Sequence, residues 1–185
     1  MNYYVLFADL RVKGLATVMS VPKGIEIMNT MTSEKQPNYS KKEIQLELSS
    51  GSGSFRGHIM GGILPLFRDE LLDAFDEFGV ENYQSQPTEM LDPATNEIEY
   101  GYHLTNIIGL KACVERYNWN AKPWNRPARI EYFQIDSTKT DNLAIFRLKE
   151  QPNLIIINQK LRDFLIEKEM VAIRMIPTEE FNSLM

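Results

Sequence analysis

A stretch of twenty-three residues recurs ninety positions further along the chain without a gap, residues 67–89 falling on residues 157–179. Leu71 meets Leu161, Asp73 meets Asp163 and Glu77 meets Glu167, and Pro87-Thr88-Glu89 meets Pro177-Thr178-Glu179, six identities in all. Phe67, Phe75, Val80 and Tyr83 are matched by Ile157, Leu165, Met170 and Ile173. The shared pattern keeps the apolar positions of a helix in phase with the strand that follows. Helix and strand have different periods, so that phase survives only if the joint has the same length in both places. We read it as one helix–strand unit used twice, in a chain built as scaffold and surface more than as a catalytic cleft.

The rest of the chain reads around these two units. Tyr3–Leu10 is aromatic and β-branched enough for an opening strand, and Ile44, Leu46 and Leu48 alternate in a second. Met, Thr, Ser, Asn and Pro dominate the less ordered region between them. Residues 49–62 (SSGSGSFRGHIMGG) read as a flexible loop by composition. A helix is expected from Pro65, with Phe67, Leu71, Ala74, Phe75 and Phe78 on its core face and Gly79 ending it. Strands are expected over residues 80–86 and 97–108, joined by the turn Asp92-Pro93-Ala94-Thr95-Asn96.

Residues 115–127, with both tryptophans and two prolines, are expected to interrupt regular structure. Further strands are expected over residues 129–135, 144–148 and 154–157, the last apolar enough to be central in its sheet. The second unit supplies a helix over residues 159–168, with Leu161, Phe164 and Leu165 inward. A strand follows in which Val171, Ile173 and Met175 alternate. Its counterpart reads Glu81, Tyr83, Ser85, so the first copy's strand is expected to be the more exposed. Many strands with two main helices predict an α+β fold with a mixed or antiparallel sheet, as a single domain over residues 1–185.

Composition bounds what such a domain can do. A chain of 185 residues with 43% hydrophobic content buries a sizeable core. Net charge of −5 argues against a nucleic-acid binder, which presents a basic stripe. With Cys113 the only cysteine and His58 and His103 the only histidines, neither an internal disulfide nor a structural zinc site is expected. No run approaches a membrane span and the N-terminus has no secretory pattern, so a cytoplasmic protein is expected, with no membrane partner and no cofactor.

The candidates for chemistry are few. Gly51, Gly53 and Gly57 miss the dinucleotide-binding spacing, since Arg56 stands where the third glycine belongs. Structural roles are expected for His58, His103 and Cys113, because no nucleophile–base arrangement surrounds them in sequence. Asp69, Glu70, Asp73, Asp76 and Glu77 gather opposite the apolar stripe of the first helix, with only Arg68 nearby. Such a ridge serves as a solvated outer face, and it could equally meet a basic partner through electrostatic steering. Tyr117, Trp119 and Trp124 are residue types that anchor interfaces and also plug loops onto cores.

Three stretches then carry a resemblance: residues 64–109 (LPLFRDELLDAFDEFGVENYQSQPTEMLDPATNEIEYGYHLTNIIG), Phe146-Arg147-Leu148, and the closing PNLIIINQKLRDFLIEKEMVAIRMIP. Over roughly residues 64–177 the chain resembles a bacterial immunity-protein family of polymorphic toxin and type VI secretion systems. This is immunity protein family eleven, formerly a domain of unknown function. The resemblance implies a non-enzymatic protein that binds a cognate toxin acting in the cytosol and blocks its active site or substrate groove. It offers no catalytic residues to carry over. The acidic ridge leans toward a basic toxin such as a nuclease. Two other readings stay open: a small enzyme using His58 or His103 to reverse a toxin's product, and a secretion-system adaptor. A homodimer is allowed but not required.

Overall fold

The computed structural model describes residues 1–18, 34–35, 44–60, 65–120 and 129–182. Strands β1 (Tyr3–Ala8), β2 (Ile44–Glu47), β3 (Ile59–Met60) and β4 (Leu66–Arg68) precede helix α1 (Asp69–Phe78). Strands β5 (Tyr83–Asp92), β6 (Glu97–Ile107), β7 (Leu110–Lys111), β8 (Val114–Asn120), β9 (Arg129–Ile135), β10 (Ile145–Leu148) and β11 (Ile155–Asn158) follow. Helix α2 (Gln159–Glu167) and strand β12 (Ile173–Pro177) close the order. The fold is α+β. One five-stranded sheet runs β12-β1-β11-β10-β7, a second runs β2-β5-β6-β4-β3, and β8 pairs with β9 by itself. Both large sheets are mixed, because β7 joins β10 and β2 joins β5 in parallel while their other pairings are antiparallel.

The sequence repeat is the visible part of a larger structural one. β4-α1-β5 and β11-α2-β12 are two strand–helix–strand units, and each holds an antiparallel strand between its own two strands. In the first unit that strand is β6, which follows β5 directly; in the second it is β1, the first strand of the chain. Register fixes the equivalence to the residue. His103 of β6 lies opposite both Phe67 and Pro87, and Tyr4 of β1 lies opposite both Ile157 and Pro177. These partners are ninety residues apart in each case, so Tyr102-His103-Leu104 corresponds to Tyr3-Tyr4-Val5.

The helices also stop in the same way. Gly79 has φ of 88° and Glu169, its counterpart, φ of 55°. Val80 N–H reaches Phe75 O and Met170 N–H reaches Leu165 O, the long bond of a Schellman turn in both copies. The starts differ: the Asn158 Oδ1 accepts from Leu161 N–H at 2.9 Å, whereas Arg68 caps nothing.

A shared core joins the two units. Leu71 and Phe75 of α1, Leu161 and Leu165 of α2, Tyr4 and Leu6 of β1, and Phe67 and Ile107 of the other sheet belong to one buried cluster. Phe78 and Phe164 meet at 5.3 Å between ring centroids, and Lys168 pairs with Glu77 at 2.6 Å across the helices. Behind the β1 sheet, Val5, Ile156 and Phe146 pack on Ile130 and Phe133 of β9. Behind the β6 sheet lies a third cluster of Leu46, Met60, Leu66, Met90, Tyr102 and Leu104.

Several expectations are corrected. Pro65 does not start α1: Phe67 lies in β4, since the chain must cross the sheet before the helix can begin. Residues 114–120 form a strand, its pairing with β9 kept through two irregular steps. Trp119 lies on that strand opposite Ile130, and Trp124 falls outside the described residues. One expectation holds: at equivalent positions the first copy's strand is the more exposed. Ser85 and Pro87 are exposed where Met175 and Pro177 are half-buried, although β12 is an edge and β5 lies between β2 and β6. Polar Gln86 and Thr88 are buried there, and Thr88 donates to Tyr102 O. Val171 precedes β12 and is exposed.

The glycine-rich loop is tied down where it is described. Phe55 N–H reaches Gly14 O, Tyr102 Oη donates to Gly57 O, and Ile59 and Met60 are buried in β3. β11, third of five strands, is central as its apolar run predicts. No helix among the described residues is long and apolar enough to cross a membrane.

Candidate functional site

Helix α1 carries its five carboxylates on the exposed side, as its apolar stripe requires. Four of them have partners within the chain. Asp69 Oδ1 lies 2.6 Å from His103 Nε2, Glu70 lies 3.0 Å from Arg68 Nε, and Glu77 holds Lys168. Asp76 accepts from the Tyr83 hydroxyl at 2.5 Å. Burial first, then the Asp76 carboxylate, pushes that phenol above its ordinary value, so Tyr83 remains the donor. Asp73 has no hydrogen bond or ion pair among the described residues. Asp69 and Glu70 sit in the first turn, where the helix dipole favours negative charge and where no side-chain cap is present.

Both histidines sit in a fastening. His103 and Asp69 join the inserted strand of the first unit to the first residue of its helix. At the equivalent place in the second unit Tyr4 Oη donates to Gln159 Oε1 at 2.5 Å. The two pairs occupy the same position with different chemistry. The Nδ1 of His103 is buried and has no partner among the described residues. His58 bridges the units: its Nδ1 accepts from Val171 N–H at 2.8 Å, and its own backbone N–H donates to Val171 O. Cys113 is fully buried, and burial, then Glu150 and Asp136, pushes its thiol up to about 12.

The β8–β9 hairpin exposes Tyr117 at 41% and Tyr132 at 44%, on the far side of the β1 sheet from the helices. Tyr117 and the acidic helix therefore belong to separate surfaces. A cleft of about 910 Å³ opens where the end of α1 meets the start of α2, lined by Phe78, Glu81, Asn82, Ser137, Asn142 and Lys160 among others. Asn82 is spent on structure there, donating to Ile108 O and Ile145 O. Among the described residues no group of three or more His, Cys, Asp or Glu side chains could hold a metal ion.

Two side chains passed over by sequence reasoning, Ile98 and Tyr100 of β6, are exposed beyond the first turn of α1 and join none of the three cores. The sequence signal for them is Gly101, since glycine inside a strand marks a bulge or a close approach. Compared with known proteins, the chain matches no family model and no curated protein. The immunity-protein resemblance rests on the residues quoted for it.

Proposed function

We propose that this chain is an immunity protein that binds and neutralises a bacterial toxin acting in the cytosol. The observation that carries the reading is the repeated fastening between inserted strand and helix. A histidine–carboxylate pair in one copy and a tyrosine–glutamine pair in the other hold the same joint. The best-placed acid–base pair of the chain is thereby accounted for as architecture. His58 is spent on a backbone bridge in the same way, and Cys113 is a buried small hydrophobe. The resemblance over residues 64–177 supplies the biological class, and the exposed carboxylates of α1 suit a basic toxin.

One observation favours a second reading. His103 Nε2 is held 2.6 Å from a carboxylate, as in an oriented general base, but its other nitrogen, Nδ1, is buried and would have to be uncovered to reach a substrate. An enzyme that reverses the toxin's product would need that imidazole. The experiment is growth of bacteria expressing the toxin encoded beside this chain's gene, with wild-type protein or with His103→Gln. The glutamine keeps a hydrogen bond to Asp69. Protection by both supports the immunity reading; protection lost in a folded His103→Gln protein supports the enzyme. No protection by the wild type refutes both and leaves the adaptor.

A further inference from the structure

The bulge in β6 reverses the faces of the sheet's far end. Along β5 the even-numbered residues face the third core throughout: Gln86 opposite Leu104, Thr88 opposite Tyr102, and then Met90, fully buried. On β6 the same face is even-numbered at Tyr102 and Leu104. Between Thr88 and Met90 the register shifts, so that Tyr100 and Gly101 together oppose Glu89, and Met90 pairs with Glu99. Gly101 has φ of 87°, the left-handed conformation that lets a strand take up one extra residue. Beyond it Glu99 faces the buried side, where Arg56 pairs with it and approaches Asp92 at 4.0 Å.

Because strand side chains alternate with period two, that one residue moves everything after it to the other face. Without it, Ile98 and Tyr100 would continue the buried row of Tyr102 and Leu104. With it, they stand on the helix side of the sheet, beyond the end of α1, 50% and 60% exposed. Hydrophobic burial favours the opposite arrangement, with the aromatic in and the glutamate out. A bulge that re-aims side chains against that preference marks a functional surface.

Carboxylates ring this face. Gln45 of β2 is opposite Glu89 and bonds it at 3.1 Å, and Glu47 is opposite Leu91. Asp69 stands over Gly101, where an added Cβ would lie 3.2 Å from its Oδ2. From Asp69 to Leu110 the sequence has ten Asp and Glu residues and no Lys or Arg.

We propose that this sheet face, centred on Tyr100 and Ile98 and rimmed by Glu47, Glu89 and Asp69, docks a protein partner presenting Lys and Arg around an apolar centre. In the immunity reading, on which the assignment rests, that partner is the toxin. An exposed tyrosine beside an aliphatic residue is the kind of anchor that dominates an interface, and the carboxylates steer a basic surface onto it.

The test measures binding of the catalytically inactivated toxin domain encoded by the neighbouring gene, its affinity by titration calorimetry and its association rate by stopped-flow fluorescence at several salt concentrations. It compares wild-type protein with Tyr100→Ala/Ile98→Thr and with Glu47→Lys/Glu89→Lys, thermal unfolding verifying that each variant is folded. The apolar variant is expected to weaken binding by at least roughly thirtyfold. The charge variant is expected to slow association and flatten its salt dependence. Wild-type binding that both folded variants retain overturns the surface and leaves the immunity reading standing. No binding by the wild type overturns the immunity reading and the assignment with it. A wild-type dimer in light scattering that the apolar variant disperses makes a second copy the occupant, and overturns the basic partner.

Discussion

Glu169 holds a position that suits glycine. It ends α2 in the left-handed region, where Gly79 ends α1, and a side chain there costs about 1 kcal/mol. Glu169→Gly is expected to raise stability by about 0.5–1 kcal/mol, and Gly79→Ala to lower it by at least that much. Urea midpoints of the two variants check the opposite signs. Cys113 gives a second test at this scale. A buried thiol with its pKa pushed up to about 12 stays protonated at pH 8, and the thiolate is the reactive form. An aromatic disulfide reagent at that pH is expected to label the native protein no faster than it unfolds. Rapid labelling under native conditions would show that the site opens locally.

Helices, strands and their joints differ in how plainly the sequence announces them. The two helices and the strands after them were legible because the apolar stripe and the Pro-Thr-Glu ending recur at one fixed offset. Of the strands in front of the helices, β11 was legible from its apolar run, whereas β4, three residues long, is too short to show a period of its own. The inserted strands were both expected as strands, but their equivalence was not legible. Tyr3-Tyr4-Val5 and Tyr102-His103-Leu104 are ninety-nine residues apart and enter their units in opposite chain order, so an ungapped comparison at ninety cannot align them.

The bulge was hidden more deeply, because Ile98, Tyr100, Tyr102 and Leu104 alternate as though they shared one face. Only Gly101 marks the break. The carboxylates of α1 were legible as an exposed face, but not their partners, since His103 and Lys168 lie far off in sequence and Tyr83 lies beyond the turn that ends the helix. The copies also differ at the helix start, where Asn158 caps α2 and Arg68 caps nothing. Asn158→Ala is expected to cost about 1 kcal/mol through the lost cap, measured as a lower urea midpoint. An unchanged midpoint would mean that the cap contributes nothing.

At the scale of the whole molecule, the duplicated units are one folding body, because residues from both helices and both large sheets share a core. Leu71 and Leu161 are equivalent and fully buried in it. Leu71→Ala and Leu161→Ala are each expected to cost about 2–5 kcal/mol and to shift the same single unfolding transition. Separate transitions for the two variants would show that the copies fold independently. A fold of this kind, with its histidines spent on joints and Ile98 and Tyr100 among its outward apolar side chains, suits the proposal that it occupies another protein's surface. The most direct measurement titrates the purified protein into the active toxin domain and follows toxin activity in vitro. Neutralisation by binding is expected to abolish activity at an equimolar ratio, with no further effect beyond it. Undiminished toxin activity, with the toxin's product disappearing at a small fraction of that ratio, would contradict binding and establish turnover.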